Sequence, residues 1–267
     1  MPDLVVGLLH PGEMGTALGA ALRTRGVPVL WASEDRSAAT ARRAEEAGLR
    51  DARSVEKLAR ASDMVLSVCP PHAALAVARS LTGFDRLFVD ANAVSPATAR
   101  AIADAVAGPC VDGGIVGPPP RAAGTTRLYL SGSAAAVVAD LFDGTVVDPR
   151  IVSDEVGAAS AVKMAYAAWT KGTAALVLAI RALARAEDVE PALLDEWRLS
   201  LPELEDESQR AARAAAAKGW RWVGEMEEIA ATFAAAELPD GFHLAAAEVF
   251  RTLSTDPALV WPRGARS

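Results

Sequence analysis

The 267-residue sequence is poor in aromatic side chains, at 5%, has two cysteines, and carries no excess of base: 27 Lys and Arg stand against 34 Asp and Glu, for a net charge of −7. The acidic balance argues against a nucleic-acid surface, which would show as a basic stripe. Short clusters such as Arg42-Arg43 sit among acids. Cys69 and Cys110 have neither metal-ligand nor redox spacing, so buried reduced thiols and no metal site are expected. No uninterrupted apolar run approaches the ~18 residues of a membrane span, and no basic segment precedes the brief apolar stretch Leu4–Leu9. A cytoplasmic protein without membrane contact is the expectation. What is abundant is alanine, much of the 51% hydrophobic content. Alanine favours helix but buries little area, so such a chain relies on close helix packing or on a partner subunit.

At about 150 residues per domain the length predicts two domains. The first half alternates short β-branched runs with helical stretches, the pattern of a parallel sheet with crossover helices. Strands are predicted at Leu4–Leu9, Val27–Trp31, Asp63–Val68, Leu87–Asp90, Pro109–Asp112, Thr126–Ser131 and Thr145–Val147, and helices at Met14–Thr24, Ser37–Ala47, Ala73–Leu81 and Pro96–Ala107. After Ser153-Asp154-Glu155 comes one long helix, Val156–Ala186, then helices at Pro191–Ser200, Pro202–Ala217, Trp220–Ala236 and Gly241–Leu253, with an irregular tail from Asp256. The predicted fold is α/β: a Rossmann-type doubly wound parallel sheet over residues 1–152, then a long inter-domain helix and an all-α domain over residues 153–267.

The first strand runs into His10-Pro11-Gly12-Glu13-Met14-Gly15. In a dinucleotide-binding turn G-x-G-x-x-G gives a tight turn, backbone approach to the pyrophosphate, and close helix packing. Gly12 and Gly15 hold the second and third places, and His10 replaces the first. The phosphates would meet the amides at the helix start, among His10, Pro11, Gly12, Glu13 and Met14. About 20 residues on, an acid would bind the ribose diol of NAD and an Arg would accommodate the phosphate of NADP. Ser33 and Arg36 stand there, favouring NADP(H) over NAD(H); Glu34 or Asp35, if aimed inward, would reverse the preference.

The order of motifs resembles the β-hydroxyacid dehydrogenase superfamily, which includes 3-hydroxyisobutyrate and 6-phosphogluconate dehydrogenases and imine reductases. Gly12-Glu13-Met14-Gly15 is similar to its G-x-M-G, Asp90-Ala91-Asn92-Ala93-Val94-Ser95-Pro96 to its D-x-S-T-x-x-P with Asn92 for serine, and Asp112-Gly113-Gly114-Ile115-Val116-Gly117 to its substrate loop. Gly157-Ala158-Ala159-Ser160-Ala161-Val162-Lys163 is similar to the segment that opens the inter-domain helix. Segments after Lys163 and around Met226 resemble most the phosphogluconate-dehydrogenase-like proteins with a helical C-terminal domain. The resemblance implies hydride transfer between a nicotinamide and a small hydroxyl or carbonyl substrate. Cys69, Pro70 and Asn92 would lie near the cofactor, and Gly114, Val116 and Gly117 near the substrate. Trp220, Met226 and His243 would come from the second domain, and a homodimer would form through that domain.

Lys163 is the candidate acid/base: an ammonium beside a developing alkoxide stabilises it and donates the proton. A solvated surface lysine is the alternative. Where the family usually has Asn one turn after Lys, this chain has Tyr166 and Ala167. Tyr166 shares the face of Lys163 and would orient substrate or donate a second proton; a core or interface tyrosine is the other reading. Pro118-Pro119-Pro120 stiffen the substrate loop and remove amide donors. Imine reduction on the same scaffold, or NADP binding without turnover, are the competing functions.

Overall fold

The computed structural model describes residues 4–255. The chain divides into two compact units, Met1–Met164 and Ala165–Ser267.

The first unit is built on one sheet. Its strands are β1 (Val6–Leu9), β2 (Val29–Trp31), β3 (Arg50–Asp51), β4 (Met64–Ser67), β5 (Leu87–Asp90), β6 (Cys110–Val116), β7 (Thr126–Ser131) and β8 (Val147–Ser153). They lie in the order β3-β2-β1-β4-β5-β6-β7-β8, and every pairing is parallel except β6 with β7. The crossovers carry α1 (Glu13–Thr24), α2 (Ala38–Glu46), α3 (Val55–Ala61), α4 (Pro71–Ser80), α5 (Pro96–Ala105) and α6 (Ala135–Phe142). Near-continuous apolar strands mark a sheet buried on both faces, and two cores result. Leu18 and Leu22 of α1, Ala44 of α2 and Val138 and Phe142 of α6 cover one face. Leu58 of α3, Ala74 and Ala78 of α4 and Ala99 and Ile102 of α5 cover the other. The strand order reverses between β1 and β4, so the crevice outside their carboxyl ends is where ligands bind in such sheets.

The doubly wound sheet followed by helices is as the sequence predicts, except that β7 runs antiparallel to β6 where a parallel sheet is expected, because the helix-free connection between them is too short for a parallel crossover. Four further differences lie in the detail. First, β3 and α3 are absent from the prediction: β3 is two exposed polar residues, and α3 buries only Leu58. Second, β6 runs on to Val116 through two glycines. A Cβ on Gly113 would lie 3.1 Å from the Asp90 carbonyl, so close backbone approach requires these poor strand formers. Third, β8 extends to Ser153 across Pro149, tolerated because β8 is an edge strand. Fourth, the two helices expected between Pro202 and Ala236 are one, α9 (Leu204–Ala235), because Gly219 is buried within it rather than ending it.

α7 (Ala158–Ala186) starts in the first unit and continues into the second, which contains α8 (Glu190–Ser200), α9 and α10 (Gly241–Thr255). Within the second unit the Phe242 ring would lie 3.1 Å from a Cβ on Gly172, and Trp222 meets Phe250 edge-on at 5.1 Å. Arg181 and Arg185 of α7 share the Glu190 carboxylate, and Lys171 pairs with Glu225. Against the expectation of no membrane-length segment, α7 is long and apolar enough to cross a bilayer by length and composition. The core helix of a soluble protein passes the same test; here 33% of the window is buried. The expected tail from Asp256 lies outside the described residues.

Candidate cofactor and catalytic site

The turn after β1 explains the missing glycine. His10 has φ +63°, the left-handed conformation glycine ordinarily supplies. The next two residues fold tightly, with the Gly12 amide donating to the His10 carbonyl at 2.7 Å. A Cβ on Gly15 would come within 2.9 Å of that same carbonyl, so α1 can seat against the turn only with glycine there. At Gly12 a Cβ would meet nothing nearer than 4.0 Å: the glycine is not demanded by the protein's own packing, and the space over it is open. Gly7, by contrast, is needed for packing, since a Cβ would strike Leu58 and Ser62 of the α3 segment at 2.4 and 2.5 Å.

Helix starts in this unit differ in how they are closed. Ser37, Ser54 and Ser95 cap α2, α3 and α5 by accepting an amide hydrogen bond. α1, α4 and α6 begin with no side-chain cap, and α1 and α4 follow the two strands that flank the switch point. Among the described residues no side chain accepts from the first-turn amides of α1, which carry the partial positive charge of a helix start.

Beside this turn are charged groups with spare hydrogen-bonding capacity. Arg36 is half-buried, and among the described residues its Nε is buried without a partner, as is Nδ1 of His10. Burial, and then the charge of Arg36, lower the His10 pKa to about 4, so the imidazole is neutral near pH 7. The Arg36 charge also acts on Cys69. Arg43 of α2 donates from Nη1 to the Pro11 carbonyl at 3.2 Å. Glu34 and Asp35 occupy the middle of a turn closed by the Arg36 amide on the Ser33 carbonyl, and both are exposed. The Ser33 amide is taken by Asp51 Oδ1 at 3.3 Å. Arg43 is absent from the sequence prediction; its signal is the two-turn spacing from Arg36, hidden by the acids around it.

Asn92 is a clip between two loops. Its Oδ1 accepts from the Cys69 amide, and its Nδ2 donates to Ser67 Oγ at 3.2 Å and to Asp90. With both ends of the amide engaged and the residue buried, Asn92 positions Cys69-Pro70, the residues that lead into α4. Both cysteines are free thiols; burial raises the Cys69 pKa to about 11 and that of Cys110 to about 12, so neither is a ready nucleophile.

The start of α7 is closed by the protein itself. Asp112 of β6 is fully buried, and its Oδ2 accepts from the amides of Gly157 and Ser160 at 3.0 and 2.9 Å and from Ser131 Oγ at 3.0 Å. Ser160 Oγ donates to Oδ1 at 2.6 Å, and Ser131 Oγ accepts the Ala159 amide at 3.0 Å. This clamp seats Lys163 against β6: a Cβ on Gly114 would lie 2.6 Å from the Ala159 carbonyl and 3.0 Å from the Lys163 Cβ. Gly114 therefore makes room for the helix that carries Lys163, which is half-buried. Val116 is buried in β6. Gly117, at φ +123°, turns where a Cβ would strike the Thr125 carbonyl at 2.2 Å. Ser131 and Ser160 are absent from the prediction because isolated serines carry no pattern until the fold brings them to one carboxylate.

The remaining predicted residues are placed separately. Tyr166, one turn beyond Lys163, is 47% exposed. In the second unit Trp220 is exposed with Arg221 over its ring, Met226 is fully buried, and His243 is buried against Phe233 and Phe242 with Nδ1 unpartnered. Among the described residues no group of three or more His, Cys, Asp or Glu has metal-ligand geometry.

Residues 184–253 match a family described as a domain of unknown function, DUF1932. An uncharacterised 28.5 kDa protein of Methanothermus fervidus, named for the 7S RNA 5′ region, is 28% identical over 67% of this chain and 70% of its own. The solved structure of conserved protein MTH1747, of unknown function, is 26% identical with a TM-score of 0.69 over 96% of this chain and 99% of its own; it was reported as similar to 3-hydroxyacid dehydrogenases. Mycobacterium tuberculosis 3-hydroxyisobutyrate dehydrogenase, solved with L-serine, is 17% identical with a TM-score of 0.72 over 97% and 96%. An Aspergillus terreus reductive aminase, solved with NADPH and ethyl levulinate, is 19% identical with a TM-score of 0.59 over 95% and 94%. The chain thus has the 3-hydroxyacid dehydrogenase-like fold, which the 3-hydroxyisobutyrate dehydrogenases and the reductive aminases share.

Proposed function

We propose that the chain is an NADP(H)-preferring oxidoreductase acting on a small hydroxyl or carbonyl compound, with Lys163 as the general acid/base. The observation that carries this reading is the uncapped start of α1 at the switch point, bordered by an open Gly12 and by the unpartnered Nε of Arg36. These groups fit a dinucleotide: amides for the pyrophosphate, and cations for a phosphorylated ribose. The outward exposure of Glu34 and Asp35 supports NADP(H) over NAD(H), because neither acid opposes a phosphate from inside the crevice. The nicotinamide supplies or accepts the hydride when bound. Lys163, fixed by the Asp112 clamp and the Gly114 gap, gives a proton to the substrate oxygen in reduction and takes it in oxidation.

The test is a panel of hydroxyacids, ketones and cyclic imines with NADPH, run on the wild type and Lys163→Ala. The expected result is turnover on a hydroxyl or carbonyl compound that falls about 100-fold or more in the variant while cofactor affinity is kept. A turning-over enzyme indifferent to Lys163→Ala contradicts the assignment, and cofactor binding with no turnover on any substrate favours a non-catalytic NADP-binding protein. The exposed hydroxyl-bearing Tyr166 one turn from Lys163 favours a second reading, reduction of a C=N bond, in which activity is confined to the imines and falls in Tyr166→Phe.

The partner we propose is a second copy of the chain, docked on α7. Tyr166, Trp169, Leu176, Ile180 and Leu183 are exposed, Trp169 at 72%, and recur at the three-and-four spacing that one apolar helix seam offers another. Such a stripe pairs with its own copy about a two-fold axis.

A further inference from the structure

We propose that Arg43 is a specificity-determining residue: with Arg36 it forms a two-guanidinium grip for the phosphorylated ribose of the cofactor, a role that rests on the cofactor reading above. Both side chains are half-buried, and among the described residues neither joins an ion pair, although the chain has seven more acids than bases. The half-buried Arg181 and Arg185 share Glu190, whereas Arg86 and Arg127, also half-buried, donate to backbone carbonyls as Arg43 does; Arg43 differs from these two in that its acceptor lies in the turn after β1. Arg43 spends one N–H on a neutral acceptor, the Pro11 carbonyl, which holds its head beside the phosphate turn without neutralising it. A guanidinium presents five donors in a fixed fork, so the others remain for a ligand.

Both guanidiniums border the turn after β1, Arg43 through its hydrogen bond to the Pro11 carbonyl and Arg36 through its charge on His10, and an anion held at that turn would draw on both. Arg36 already acts on His10 across the same turn, and the two nearby acids that would otherwise compensate, Glu34 and Asp35, are exposed. A dianionic phosphate satisfies this arrangement, and a free ribose diol, being neutral, does not. Arg43 sits on α2, the helix that follows β2, and the end of β2 is where a dinucleotide fold meets the adenosine ribose. Arg43 thus adds to Arg36 at the point where phosphorylated and plain cofactors differ.

The test is calorimetric titration of the full chain with NADPH and with NADH, for the wild type, Arg36→Gln, Arg43→Gln and Arg43→Lys, with each variant's fold checked by circular dichroism. Arg43→Gln is expected to weaken NADPH about tenfold or more while NADH moves less than about threefold. Arg43→Lys recovers part of the loss as a point charge, and keeps the test open should the Gln variant misfold. If Arg43 merely braces the turn through Pro11, both cofactors weaken equally, which overturns the assignment, as does an unchanged NADPH affinity in Arg43→Gln. A wild type that binds neither cofactor, or prefers NADH, overturns the cofactor reading itself.

Discussion

Two helix starts in the first unit, those of α1 and α7, solve the same electrostatic problem in opposite ways. Each presents amide hydrogens that no carbonyl of its own helix can reach. At α7 the chain supplies its own anion: the buried Asp112 carboxylate takes two of those amides and two serine hydroxyls. At α1 no side chain among the described residues caps the helix, leaving a glycine at the cap, open space above it, and arginines at the side. A closed start fixes a helix and the lysine two turns into it. An open start is less stable on its own, and under the proposed function its missing anion is the pyrophosphate of the cofactor.

Opening the closed end has the largest expected effect. Asp112→Ala leaves two amides and two hydroxyls without their acceptor, and should cost about 3 kcal/mol or more in urea unfolding. Asp112→Asn should cost less, and a loss below about 1 kcal/mol for Ala would show that the clamp is not what seats α7. Next comes the exposed length of α7 beyond its closed start. Trp169→Glu with Leu183→Glu is expected to weaken self-association about 100-fold or more, since charges are buried unpaired at an apolar seam. Light scattering checks this, and a wild-type monomer at all concentrations contradicts it.

The smallest effect belongs to His10 at the open end. Its folded pKa, about 4, lies below the unfolded value of 6.5, so on acidification the unfolded chain takes the proton first. Stability is therefore fully present above about pH 6.5 and declines as pH falls toward 4. His243, whose pKa burial also lowers, acts in the same direction. His10→Asn keeps a residue that tolerates positive φ and should flatten part of the slope in melting temperature between pH 7 and pH 5. Equal slopes would contradict the burial of a neutral imidazole there.

Much of this contrast was legible in the sequence, but unevenly. The strand-turn-helix order around Gly12 and Gly15, the long helix after Glu155 and the place of Lys163 follow from periodicity and motif order. The geometry at His10 does not, since a histidine in a glycine position reads as a broken motif until its φ is seen. Nor does the double role of the glycines: Gly114 reads as substrate loop, whereas in the fold it is the gap into which α7 settles. Asn92 reads as a cofactor contact and is a clip between loops, because both ends of an amide can be used up by neighbours far apart in sequence. Whether Glu34 and Asp35 aim inward depends on one turn closed between Ser33 and Arg36, which composition does not encode.

The most direct measurement makes the open end resemble the closed one. Gly12 has the extended backbone of a helix cap, and a Cβ there meets nothing nearer than 4.0 Å, so Gly12→Asp adds its Cβ without a clash and offers a capping carboxylate to the α1 amides. Calorimetric titration of NADPH into wild type and Gly12→Asp, with thermal melting of both, should show binding weakened about 100-fold or more. The unliganded variant should at the same time be as stable as the wild type or up to about 1 kcal/mol more so. Unchanged NADPH affinity in a folded Gly12→Asp chain would contradict the claim that the open start of α1 holds the cofactor.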